Sequence, residues 1–184
     1  YTILDPACGC GDLLHPALRA MLAIEADLQR RWLALHPTPP PPGPWFTLAQ
    51  LHGIERDPLA AALARATLQL VARDRGVPTI LEADALVIPW PRPAGELAIV
   101  GNPPYLGVRK LRRALGDEHV TRLFARYPHN RAADLATYWF TRASEHLRPG
   151  ERAGYVCTNA VARNTNRAAS LDRILAAGGT ITDA

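Results

Sequence analysis

Short apolar runs ending in Gly, Asn or Asp alternate along this chain with longer stretches of helical periodicity, the pattern of a parallel sheet flanked by helices. Thr2 to Leu4 predicts a first strand, and Leu13 to Leu35, rich in Ala, Leu and Arg, a long first helix. Pro37 to Pro44 contains six prolines in eight residues and reads as a stiff connector. Leu51 to Ile54 predicts the second strand. Pro58 to Arg75 predicts a helix with Leu59, Leu63, Ala66 and Leu70 on one face, Asp57 as its N-cap and Pro58 at its first position. Thr79 to Leu81 and Leu97 to Val100 are the next strands, the latter apolar enough for a sheet centre. Arg109 to Tyr127 and Leu135 to Leu147 read as helices, Gly154 to Cys157 as a strand, Leu171 to Ala177 as a helix, and Thr180 to Thr182 as the start of a sixth strand. No internal repeat is visible.

The 184 residues suit one α/β domain, 48% hydrophobic and 21% charged, and no stretch approaches the roughly 18 apolar residues of a membrane span. The chain opens on Tyr1 without a leader pattern and reads as a segment excised from a longer polypeptide. Three cysteines, Cys8, Cys10 and Cys157, form no disulfide framework, so a reducing cytoplasm is the expected setting. Cys8, Cys10 and His15 lack the spacing and the fourth ligand of a structural zinc site, and no metal is expected. A net charge of +4 suits a polyanionic partner and many other proteins too; 20 of the 21 basic residues are Arg, a coding bias rather than a binding signal.

The sequence Asp5-Pro6-Ala7-Cys8-Gly9-Cys10-Gly11 joins the first strand to the first helix. Gly9 and Gly11 permit positive φ and close backbone approach, and the helix start offers free N–H groups to a ligand carboxylate, unless the loop is merely a tight turn. Glu55 closes the second strand, where an acidic side chain can accept both hydroxyls of a ribose or simply face solvent. Asp84, followed by Ala85 after the third strand, is placed to accept from an adenine amino group.

Asn102-Pro103-Pro104-Tyr105 follows the most apolar strand. Two prolines fix φ and remove two donors, leaving carbonyl oxygens in a stiff turn beside an amide and an aromatic ring. An exocyclic amine is a poor nucleophile because its lone pair is delocalised into the base. The Asn102 side-chain oxygen and the Pro103 carbonyl can draw its protons and localise that pair. The plainer alternative is a rigid loop with a buried Tyr.

Taken in order, Asp5 to Gly11, Glu55, Asp84 and Asn102 to Tyr105 resemble the cofactor and catalytic motifs of the gamma-class DNA amino-methyltransferases, over nearly the whole chain. The chain is most similar to adenine-N6 methylase domains of large bacterial restriction-and-modification enzymes. Leu106 to Leu111 and Asp134 to Phe140 resemble that group less specifically. The resemblance implies a Rossmann-like fold and S-adenosyl-L-methionine as cofactor. Asp5, Pro6, Ala7, Cys8, Gly9 and Gly11 would line its methionine part, Glu55 its ribose, and Asp84 with Ala85 its adenine. Asn102, which also borders the cofactor, and Pro103 would grip the target amine in duplex DNA, Pro104 would stiffen the turn and Tyr105 would stack on the flipped base. Cys10 stands where the family usually has Ser, and Leu13 where Phe is common. The N-terminal helix, the last antiparallel strand and the target-recognition and nuclease regions that such enzymes carry are not apparent in this chain.

Arg109, Lys110, Arg112 and Arg113 lie just after the turn, where a phosphate flanking a flipped nucleotide would sit, although a solvated helix face gives the same pattern. Thr158 and Asn159 are expected to end the fifth strand on the same rim. The rival readings are a protein-glutamine or RNA amino-methyltransferase, which uses the same turn, cytosine N4 as target, and a non-catalytic cofactor- or DNA-binding module. Asp5 to Cys8 argues for the DNA group, and Asn rather than Ser at 102 for adenine.

Overall fold

The computed structural model describes residues 1–182. Five strands form one sheet in the order β3-β2-β1-β4-β5, and every pairing is parallel. The strands are β1 (Thr2–Asp5), β2 (Leu51–Glu55), β3 (Thr79–Glu82), β4 (Leu97–Gly101) and β5 (Arg152–Tyr155). Because successive strand side chains point to opposite faces, Ile3 and Leu4 enter different cores. One core joins Ile3, Leu51 and Ile80 to α1 (Leu14–Leu35) and α2 (Pro58–Val71). The other joins Leu4, Ile54 and Ile99 to α3 (Val108–Leu115), α4 (Asp117–Arg126) and α5 (Ala136–His146). The chain winds from β1 out to β3, then restarts on the other side of β1 with β4, so a crevice opens beyond the carboxyl ends of β1 and β4.

Several expectations are corrected by packing. The predicted leucine face of α2 points outward: Leu59 is 68% and Leu70 61% exposed, while Ala61, Ala64 and Leu68 are buried. Ala64 packs there against the first loop; a Cβ on Gly11 would lie in van der Waals contact, 3.5 Å from both Cα and Cβ of Ala64. The helix expected over Arg109 to Tyr127 is two helices, α3 and α4, divided at Gly116, whose φ of 85° no α-helix accommodates. β5 begins two residues before the expected Gly154, because Glu151 accepts from the Leu97 N–H at 3.2 Å and ties the incoming chain to the first residue of β4. Thr158 and Asn159 therefore lie beyond the strand, Asn159 opening a short 3-10 turn.

Two short helices close the chain, α6 (Asn164–Ala169), which was not expected, and α7 (Leu171–Ala176). Thr180 to Thr182 form no strand: the Gly179 N–H caps α7 on the Ile174 carbonyl, and the chain then continues without a sheet partner among the described residues. The Pro-rich connector is irregular and is held by two indoles, Trp32 donating to the Thr38 carbonyl and Trp45 to that of Pro41. Among the described residues no helix is long and apolar enough to cross a membrane.

Candidate functional site

The crevice holds a cavity of about 520 Å³, within the range of small-molecule sites. Its wall gathers residues from the ends of four strands: Pro6 and Ala7 after β1, Glu55 ending β2, Asp84 and Ala85 after β3, and Asn102, Pro104 and Tyr105 after β4. Four motifs scattered over a hundred residues of sequence thus share one space.

The loop after β1 is built as its glycines require, with φ of 52° at Gly9 and 93° at Gly11. Its bend is closed by the Gly11 N–H on the Cys8 carbonyl at 2.8 Å. Asp5 does not line the cavity; it is 1% exposed beneath the loop and accepts from the Ala7 N–H at 3.0 Å. Burial pushes its carboxyl up to about 7. Cys8 is buried under the same loop, and burial pushes its thiol up to about 12, as expected of an inert packing residue. A Cβ on Gly53 would come within 2.7 Å of the Cys8 sulfur, so β2 needs glycine at that point to let the loop settle. Gly9, Cys8 and Gly11 form the floor and shape of the loop without facing the cavity.

Glu55 ties two motifs together. One carboxylate oxygen accepts from the Gly9 N–H at 2.9 Å and the other from the Asp57 N–H at 2.8 Å. Glu55 lines the cavity, and each of its oxygens retains a second lone pair. Asp84 is oriented in the same manner, its Oδ1 accepting from the Leu86 N–H at 2.8 Å. The loop that carries Asp84 is anchored from below, since the Trp90 indole N–H and the Arg142 guanidinium both donate to the Ala85 carbonyl.

At the other end of the cavity the Tyr105 hydroxyl lies 2.8 Å from Asn102 Oδ1 and 2.6 Å from the Val156 carbonyl oxygen, so one proton serves two acceptors. Pro103 is buried, whereas Asn102, Pro104 and Tyr105 are exposed on the rim. Asp134 fixes the far side of the turn by accepting from Leu106 N–H at 3.2 Å and Ala136 N–H at 3.0 Å. Thr158 sits with Tyr105 in a small adjoining depression. Arg109, Lys110, Arg112 and Arg113 are exposed on α3, outside the cavity; Arg112 is drawn toward α4 by an ion pair with Asp117 at 2.9 Å.

Sequence reasoning missed three polar or aromatic members of the wall: Arg56, His119 and Trp139. Trp139 lies within the Asp134 to Phe140 stretch and donates its indole N–H to the Pro6 carbonyl at 3.1 Å. Arg56 adjoins Glu55. Nothing in the sequence marks His119, which lies on α4 just after the break at Gly116 and lines the cavity. Among the described residues no three His, Cys, Asp or Glu side chains gather as metal ligands.

The family model for the DNA-methyltransferase domain of MmeI matches residues 1–79 and 75–184. The chain is similar to the Type II methyltransferase M.XhoI of Xanthomonas vasicola, 29% identical over 171 residues that cover 88% of this chain and 29% of that protein. Among solved structures it resembles the Type IIL restriction-modification enzyme MmeI, solved in complex with DNA, with a TM-score of 0.72, 21% identity, and coverage of 96% of this chain and 27% of that one. It also resembles a Listeria monocytogenes protein assigned to the class I S-adenosylmethionine-dependent methyltransferases, with a TM-score of 0.52, 17% identity, and coverage of 91% and 42%. The chain therefore spans under a third of M.XhoI and of MmeI.

Proposed function

The chain belongs to the MmeI DNA-methyltransferase domain family, and on that premise we propose that it is the catalytic domain of an S-adenosyl-L-methionine-dependent DNA methyltransferase acting on adenine N6 in a bacterial restriction-modification system. The observation that carries this reading is the opening of the Asn102 to Tyr105 turn onto the same cavity as Glu55 and Asp84. A cofactor held by the two carboxylates thereby abuts a turn that offers amide and carbonyl acceptors to an amine.

The residues present fit that cofactor. Apolar walls from Pro6, Ile54 and Leu86 flank the carboxylates of Glu55 and Asp84, the mixture that a nucleoside requires. Glu55 would accept from the ribose hydroxyls, Asp84 from the adenine amine, and the backbone of Asp5 to Gly11 would shape the seat of the methionine part. When bound, S-adenosyl-L-methionine supplies an electrophilic methyl group. Asn102 Oδ1, already held by Tyr105, would accept one proton of the target amine through its remaining lone pair, and the Pro103 carbonyl the other. Both contacts strengthen as positive charge develops on the nitrogen. Tyr105, 41% exposed on the rim, would stack on a base turned out of the duplex. Arg109, Lys110 and Arg113, with Arg112 behind them, would meet backbone phosphates. Target recognition, and any nuclease, would come from regions outside residues 1–184, and the setting would be the bacterial cytoplasm.

Mass spectrometry of nucleosides from duplex DNA incubated with the enzyme and S-adenosyl-L-methionine tests the reading. N6-methyladenine is expected. N4-methylcytosine in its place would overturn the adenine assignment, and methyl transfer from labelled S-adenosyl-L-methionine to RNA or protein, offered in parallel incubations, with none to DNA would overturn the DNA assignment.

A further inference from the structure

The adenine end of the cavity contains a polar group that the motifs leave out. His119 lies on α4 beside Val120, which is buried in the core, and its side chain is 16% exposed. Its Nε2 is buried and has no hydrogen-bond partner among the described residues. A buried polar nitrogen left unpaired is unfavourable and calls for an explanation.

Asp84 Oδ2 lies 3.6 Å from His119 Nε2, beyond hydrogen-bond length. The other Asp84 oxygen is committed to the Leu86 N–H. Arg56 approaches Oδ2 only to 3.8 Å, from a side chain 61% exposed at the mouth. The wall thus presents an acceptor, Asp84 Oδ2, next to a ring nitrogen that donates when it carries the imidazole proton or when the ring is protonated.

We propose that His119 is a specificity-determining residue that reads the cofactor's purine together with Asp84, an inference that rests on the assignment of S-adenosyl-L-methionine to this cavity. An adenine edge offers an amino donor beside a ring-nitrogen acceptor, the complement of Asp84 Oδ2 beside His119 Nε2–H. Hypoxanthine offers the reverse order on its pairing edge, an oxygen beside an N–H. Each of its groups would then face one of like kind. A site that pairs its own buried polar atoms with the ligand rejects analogues that leave them unpaired.

Calorimetric titration of the 184-residue chain with S-adenosylhomocysteine and S-inosylhomocysteine tests this, with thermal unfolding to verify that each variant is folded. The wild type is expected to prefer the adenosyl thioether by about tenfold or more. His119→Ala should weaken that thioether by about fivefold to tenfold and narrow the preference. His119→Gln, which restores an N–H, should recover part of it. A folded His119→Ala chain with wild-type affinity and preference for both overturns the role of His119 and leaves the cofactor site standing. Wild-type protein that binds neither thioether overturns the cofactor reading, and this inference with it.

Discussion

The rim formed by the ends of β1, β2 and β3 and the rim formed by the ends of β4 and β5 hold their polar groups differently. On the first, every motif carboxylate is fixed by a backbone N–H: Asp5 by Ala7, Glu55 by Gly9 and Asp57, Asp84 by Leu86. On the second, Asn102 and Tyr105 are exposed and bonded to each other and to the Val156 carbonyl. The first rim is organised before any ligand arrives, whereas the second is built from groups a substrate can re-pair. Carboxylates locked by the backbone bind the same shape each time. A phenol that divides one proton between the Asn102 amide oxygen and the Val156 carbonyl can yield the amide to a stronger donor when charge appears nearby.

The largest expected effect separates the two rims most sharply. Asn102→Ala should lower methylation by about a hundredfold or more while S-adenosyl-L-methionine affinity stays within a few-fold, because on the proposed reading the amide oxygen it removes would act in the transition state. Single-turnover kinetics beside equilibrium titration reads both quantities. A variant that loses affinity and keeps its rate would place Asn102 on the cofactor rim instead.

Glu55→Ala is expected to do the converse. On the proposed reading it would remove acceptors for the ribose, and it also releases the Gly9 N–H, so cofactor binding should weaken by roughly 1 to 3 kcal/mol. Calorimetry with S-adenosyl-L-methionine measures this, and unchanged affinity removes Glu55 from the site.

The smallest effect is expected outside the cavity. Replacing Arg109 and Lys110 by Ala should weaken DNA binding to a similar degree across sequences and reduce the salt slope by about one for each phosphate that is no longer neutralised. Binding titrations at several salt concentrations decide it. An altered recognition sequence with an unaltered slope would mean that these residues read bases.

Much of this arrangement was legible in the chain itself. Apolar runs closed by Asp5, Glu55 and the Asn102 turn marked β1, β2 and β4, since a strand buried on both faces has little choice of composition. Gly9 and Gly11 announced a loop with positive φ, and Asp57-Pro58 the start of α2, where the Asp57 side chain does accept from the N–H groups of Leu59 and Ala60. These are local rules, satisfied within a few residues of where they are read.

What the tertiary structure decided was whichever outcome depended on a partner distant in sequence. α2 buries Ala61, Ala64 and Leu68, with Ala64 packed against the first loop at Gly11, rather than the more hydrophobic face of Leu59, Leu63 and Leu70. The start of β5 was set by Glu151 bonding to Leu97, 54 residues away. His119 entered the cavity because the chain breaks at Gly116 between α3 and α4 and α4 brings its side chain beside Asp84, distant in sequence. Local propensity fixes the conformation of a segment, but the burial of a face or the neighbour of a side chain is a property of the packed whole.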